Sequence, residues 1–232
     1  MKMKRILLLV GIGLPLLAPL EAKADCSGAG TGCGDTEQLK KFISASDFHK
    51  NLVSRALSQL PPAVFQRCPT LASTGSRVTV VKPVSFGSDG FPNAGMWNES
   101  FPVSGCGNDT TLNIFFEATA DEKVNTIVGL PGTTHTSPTL QRDAIRYATM
   151  GFSTAAKMSC KEIAVTNTKF EGYGVKNPAV ADPGPLHPQR PWWETWTLTG
   201  CSRTFDLPMD FIPDQTGTQI IQPAGQVERR AP

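Results

Sequence analysis

Trp192-Trp193-Glu194-Thr195-Trp196-Thr197-Leu198-Thr199-Gly200-Cys201 decides how this chain is read, because residues 97–106 have already spelled it once, as Trp97-Asn98-Glu99-Ser100-Phe101-Pro102-Val103-Ser104-Gly105-Cys106. The first Trp, the Glu, the Gly and the Cys are identical. Ser100/Thr195, Phe101/Trp196, Val103/Leu198 and Ser104/Thr199 are chemically close. The match continues past the Cys, where Leu112, Ile114 and Phe116 fall on Leu207, Met209 and Phe211.

Each copy alternates apolar and polar residues, the pattern of a half-buried strand. Trp97, Phe101, Val103 and Gly105 share one face, as do Trp192, Trp196, Leu198 and Gly200. Turn formers follow, Gly107-Asn108-Asp109 in one copy and Ser202-Arg203 in the other, and then alternation resumes. Gly, Asn and Asp tolerate left-handed backbone angles, so each copy is expected to be an antiparallel hairpin with a Cys at its tip.

Working outward, each hairpin is preceded by the same elements. Residues 44–60 form one helical pattern, with Phe48, Leu52, Ala56, Leu57 and Leu60 as the apolar stripe and Pro61-Pro62 as the stop. Cys68 and an alternating stretch from Arg77 to Phe86 follow. Ser137-Pro138 opens a second helix running to about Met158, with Leu140, Ala144, Tyr147, Ala148, Phe152 and Ala155 facing inward. Cys160 and a strand from Glu162 to Phe170 come next.

The expected fold is therefore α+β: helix-plus-three-stranded antiparallel units (αβββ), made twice and related by an approximate two-fold. Residues 1–24 are assigned to a signal peptide and 25–43 to a Gly-rich segment. The first unit spans 44–126, the second 127–214, and 215–232 form a tail with Ile220-Ile221 as a last short strand. Whether the two sheets join edge to edge or stack face to face is left open by the sequence.

Lys2, Lys4 and Arg5 lead an apolar run from Ile6 to Leu20, and Ala22-Lys23-Ala24 supplies a small-x-small cleavage pattern. The run is too short and too interrupted by Pro and Gly for a membrane span. Periplasmic or secreted localisation is expected. Residues 1–24 hold four of the 22 basic and one of the 20 acidic residues, so the remainder carries 18 and 19, a net charge of −1. No basic stripe marks the exported part, which argues against a nucleic-acid partner.

All six cysteines lie beyond residue 24. In an oxidising compartment an even count favours disulfides. The repeat favours Cys68–Cys106 and Cys160–Cys201, leaving Cys26–Cys33 around the Gly-rich stretch. Zinc-knuckle spacing is absent and His49, His135 and His187 are scattered, so neither a metal nor another cofactor is expected.

Glu99 and Glu194 are the weak catalytic candidates. Alternation sets each among aromatics, where desolvation raises a carboxyl pKa, and a facing pair would suit glycoside hydrolysis. The simpler reading is a structural carboxylate. Trp193 points away from Trp192 and Trp196, so it is the expected ligand contact. His187 and Arg190 join it from a loop between Glu171 and Pro191 that carries five prolines. No nucleophile elbow, phosphate loop, dinucleotide fingerprint or Cys-x-x-Cys appears. The function class is a non-catalytic exported protein that binds a small ligand or envelope partner. An envelope hydrolase and a structural assembly component that pairs through exposed strand edges are the alternatives.

Overall fold

The computed structural model describes residues 23–25, 36–57, 72–73, 75–104, 110–121, 123–177, 190–214, 217–222 and 228–229. It is an α+β structure with two antiparallel sheets. The first contains β3 (Arg77–Phe86), β4 (Pro92–Ser104), β5 (Thr110–Thr119) and β6 (Lys123–Val128) in chain order. Two short strands extend it: β1 (Lys23–Asp25) lies parallel to β3, and β2 (Ala72–Ser73) pairs with β4. The second sheet contains β7 (Ile163–Tyr173), β8 (Trp192–Gly200), β9 (Arg203–Asp214) and β10 (Gly217–Ile221), with β11 (Glu228–Arg229) also on β9. Both are meanders of four strands: β6 is one more than expected in the first, while in the second the short strand expected at Ile220-Ile221 is the fourth, β10. Lys123–Val128 alternates and returns along β5 beyond a turn at Ala120 and Asp121, and Gly217–Ile221 pairs back along β9. The expected cleavage pattern, Ala22-Lys23-Ala24, overlaps β1, so cleavage after Ala24 would leave only Asp25 of that strand.

The two hairpins share one register. Trp97 faces Phe116, Glu99 faces Ile114 and Phe101 faces Leu112. Trp192 faces Phe211, Glu194 faces Met209 and Trp196 faces Leu207. Paired residues of an antiparallel ladder point to one face, so these side chains make the inner surface of each sheet, and a helical layer covers it. The first core joins Leu39, Phe42, Ile43 and Val53 to Trp97, Phe101 and Phe116. The second joins Ala144, Ala148, Phe152 and Ala156 to Trp196, Leu207 and Phe211.

The first helical layer differs from expectation. It is two helices, α1 (Thr36–Ala45) and α2 (Asp47–Leu57), so α1 begins inside the segment read as Gly-rich. The chain breaks at Ser46, whose Oγ accepts the His49 N–H at 3.1 Å and so caps α2. Re-aiming α2 rotates its buried face by about one residue. Val53 and His49 are buried, while Phe48, expected inside, is 45% exposed. The helix α3 (Pro138–Ala156) starts as expected, with Ser137 capping the Leu140 N–H. Tyr147, expected inside, is 49% exposed. Gln141 takes an inner place instead, because its amide serves two backbone groups: it accepts from Leu130 N–H at 2.9 Å and donates to Thr136 O at 3.0 Å.

Cys160 and Cys201 form a disulfide with Cα atoms 5.8 Å apart, as the repeat implied. It ties the connection after α3 to the β8–β9 turn, where Cys201 and Ser202 adopt left-handed angles (φ 46° and 57°) of the kind a two-residue hairpin turn demands. Closing about 40 residues of chain is worth roughly 3–4 kcal/mol in the chain-entropy model. Cys26, Cys33, Cys68 and Cys106 lie outside the described residues, as do residues 1–22 of the expected signal. Among the described residues no helix is long and apolar enough to cross a membrane.

The sheets join edge to edge. Beyond β6 the linker stays alongside β5, with Gly129 N–H donating to Asn113 O at 2.8 Å and Gly132 N–H to Thr111 O at 2.7 Å. On its other side it meets β7. Thr168 N–H donates to Pro131 O at 2.7 Å, and Thr133 N–H to Thr168 O at 2.8 Å. The linker thus acts as a short shared strand between the sheets. Asn113 braces it by donating to Leu130 O and Gly132 O, each at 2.9 Å.

Candidate functional site

Glu99 is fully buried in the first core. Its Oε1 accepts Trp97 Nε1–H at 3.0 Å and lies 2.6 Å from His49 Nε2. His49 reaches it from α2, set between the rings of Phe42 and Phe116 with centroids 6.0 and 5.4 Å away. Glu99 Oε2 and His49 Nδ1 are buried and make no hydrogen bond among the described residues.

Glu194 is fully buried in the second core and is better served. Its Oε1 accepts Trp192 Nε1–H at 3.0 Å and His135 N–H at 2.8 Å. Its Oε2 accepts Trp196 Nε1–H at 2.8 Å. Thr134 Oγ1 lies 2.9 and 2.8 Å from the two oxygens. Burial raises the Glu194 pKa above the ordinary carboxylate value, and the hydrogen bonds from Trp196, His135, Thr134 and Trp192 oppose that rise.

Part of the contrast between the two carboxylates lies in one sequence difference. Position 196 is Trp and position 101 is Phe. Phe101 offers no N–H, so the first core recruits His49. The ring packing is otherwise alike: Trp97 stacks on Phe116 at 5.2 Å and 10°, and Trp192 on Phe211 at 5.1 Å and 11°. Replacing Trp196 by Phe is therefore expected to cost about 1–3 kcal/mol, the range for depriving a buried polar group of its partner. Thermal unfolding measures the loss, which amounts to a drop of several degrees for a chain of this size.

Chemically, each glutamate is enclosed in its own core and held by indole donors. Neither faces solvent, and neither shares a cleft with the other. Such groups fix the strand and helix around them. The signal that would have found His49 was present in the sequence: residues 97–106, which match 192–201 with one inward-facing indole fewer, need a donor from elsewhere.

The surface residues gather around β7 and β8. Trp193 is half-buried rather than open, because Lys176 Nζ sits 4.5 Å above its ring. Lys176 is held there by its backbone: the N–H groups of Lys176 and Asn177 donate to buried Asp210 at 2.7 and 3.1 Å. Arg190 is exposed, with its guanidinium 4.9 Å from the Tyr173 ring. The Tyr173 ring is itself 5.3 Å from Phe170, and His135 packs 4.1 Å from Phe170 and 5.7 Å from Tyr173. Burial lowers the His135 pKa and favours the neutral ring. Gly174 N–H donates to Pro191 O at 2.8 Å, joining the end of β7 to the start of β8. His187 lies outside the described residues. Tyr173, Phe170 and Lys176 were missed as surface partners, since alternation alone does not show where a strand runs beyond its cover.

No family model, curated protein or solved structure matches this chain. Chemistry on the surface is thus the guide to function. Besides the shelf there is a trough of about 420 Å³ along the seam between the sheets, where Ser104, Thr111, Thr133, Asn167 and Lys169 contribute polar groups. Lys169 is paired with Glu171 at 2.8 Å, so the trough carries no free cation from it. Among the described residues no cluster of His, Cys, Asp or Glu is arranged to hold a metal ion.

Proposed function

We propose that this chain is an exported, non-catalytic protein that binds a small ligand or an envelope partner, and that it is built from two diverged copies of one helix-backed four-stranded unit. The duplication reading is supported by the common register of the two hairpins and by the recurrence of a buried Trp–Glu pair in each core. The export reading rests on the signal-like pattern of residues 1–24 and is consistent with the Cys160–Cys201 disulfide.

The observation that carries the binding reading is the shelf beside β7. Tyr173 is 53% exposed, with a guanidinium against its ring and the aromatic faces of Phe170 and His135 next to it. Flat rings with a cation at the rim suit an aromatic or acidic group on a partner. The buried glutamates favour binding over hydrolysis, since a general acid must reach a substrate.

The test is to probe peptide and glycan arrays with the mature chain. Wild type is expected to retain a defined subset, and Tyr173→Ala and Arg190→Ala are each expected to weaken it by about tenfold, a loss of about 1.4 kcal/mol. Retention by both variants at wild-type strength would place binding elsewhere. Turnover of a retained glycan would remove the non-catalytic reading.

A further inference from the structure

The opposite edge of the second sheet presents a different surface. Among the described residues β10 pairs with β9 alone, so its outer side is an open strand edge. Along it runs a groove of about 420 Å³, lined by Asp143, Arg146 and Tyr147 of α3 and by Thr218–Ile221 of β10. Met150 extends the same helical stripe, since positions 143, 146, 147 and 150 follow the spacing of one face. Tyr147 and Met150 are 49% and 67% exposed. Asp143 and Arg146 are also exposed, and each is free of hydrogen bonds and ion pairs among the described residues.

An open edge beside an apolar stripe is costly to leave in water. Single charges of both signs, one helical turn apart, suit one occupant in particular. In a two-fold contact residue i meets j while j meets i. We propose that β10 and the outer flank of α3 form the interface of a homodimer. The β10 strands of two copies pair antiparallel about the dyad, Arg146 of each copy faces Asp143 of the other, and the four-stranded sheets become one sheet of eight.

The spacing is consistent with this. The helix α3 packs over β8, β9 and β10, centred on β9. Copies of β9 on either side of the dyad are three strand intervals apart, about 14 Å. Helices in direct contact sit about 8–10 Å apart. The difference is room for large side chains, and Tyr147 and Met150 from each copy stand there. This inference does not rest on the binding shelf, which lies along the β7 edge.

Light scattering coupled to size exclusion, run on the mature chain from micromolar to submillimolar concentration, tests it. A concentration-dependent dimer is expected. Arg146→Asp sets like charges against each other at two symmetric places and is expected to raise the dissociation constant by at least about tenfold. The double variant Asp143→Arg with Arg146→Asp restores the complementarity and is expected to return to within about threefold of wild type. Met150→Lys is expected to abolish the dimer. All of these side chains are exposed, so circular dichroism should report an unchanged fold in each variant. A monomer at every concentration overturns the proposal. So does a dimer indifferent to Arg146→Asp and Met150→Lys, or one that the double variant fails to restore.

Discussion

Glu194→Ala is expected to be the most damaging single substitution in the chain. It leaves the buried Trp192 and Trp196 Nε1–H groups and the partly buried His135 N–H and Thr134 Oγ1 without their common acceptor. Orphaned buried groups cost about 1–3 kcal/mol each, and the cavity left by the side chain adds to that. A loss of at least about 4 kcal/mol is expected, which consumes much of a stability of about 5–15 kcal/mol. Glu99→Ala orphans two partners rather than four and is expected to cost roughly half as much. Urea unfolding monitored by tryptophan fluorescence gives both values. Equal losses would contradict the difference in donor count.

The same residue sets a pH dependence with a definite sign. Burial raises the Glu194 pKa in the folded state, so folding favours the protonated form. That contribution is fully present below the unfolded value, about 4.3 for Glu. It is lost as pH rises through the elevated folded value, and above that it stays absent. Glu194→Gln cannot ionise and has no such component. The stability of wild type relative to Glu194→Gln is therefore expected to fall as pH rises from about 4. A difference that grows with pH would mean that the hydrogen bonds to the carboxylate outweigh its desolvation.

The second large effect is expected at Gly132. Its φ of 103° lies in the left-handed region. A Cβ built there falls inside the contact radius of Thr168 O and lies 2.5 Å from Thr168 N. Neither atom can retreat, because both are bonded to the linker on either side of Gly132. Gly132→Ala is thus expected to open the seam between the sheets at a cost of about 3 kcal/mol or more, combining backbone strain with overpacking. Hydrogen exchange locates the damage: the amides of Thr133 and Thr168 should lose protection first. Unchanged protection there would show that the sheets are held together elsewhere.

Much of this architecture was legible in two ten-residue stretches. Alternation about Trp97 and Trp192 set the faces of both hairpins, and the spacing of the matching stretches pointed to Cys160–Cys201. Strand periodicity is a local signal, so it survived folding unchanged. What escaped was set by tertiary partners. The break at Ser46 and the turn of α2 that buries His49 serve Glu99, a residue 50 positions away. Tyr147 reads as an inner residue by spacing, yet Gln141 takes an inner position because two buried backbone groups need it. The seam was unreadable because Gly132 belongs to no regular element and meets Thr168 from the far edge of β7, a contact that alternation within a strand does not register.

The surface was legible only in part. Opposite-face alternation correctly set Trp193 apart from its neighbours, but nothing local indicated that Lys176 would cover it. Lys176 is placed by Asp210, which lies on another strand. Arg190 was singled out from the loop and does border an aromatic shelf. Tyr173 supplies that shelf from the last position of β7, beyond the point where the strand was expected to end.

Hydrogen exchange at the indole nitrogens, followed by NMR, bears most directly on the idea that a buried carboxylate holding tryptophan N–H groups anchors each sheet. Trp97, Trp192 and Trp196 donate to Glu99 or Glu194 from wholly or nearly wholly buried rings. Their Nε1 protons are expected to exchange at least about a thousandfold more slowly than a free indole. In Glu194→Gln, protection at Trp192 and Trp196 should fall while Trp97 keeps its own. Exchange of any of the three at close to the free rate, or an equal response of all three to Glu194→Gln, would contradict it.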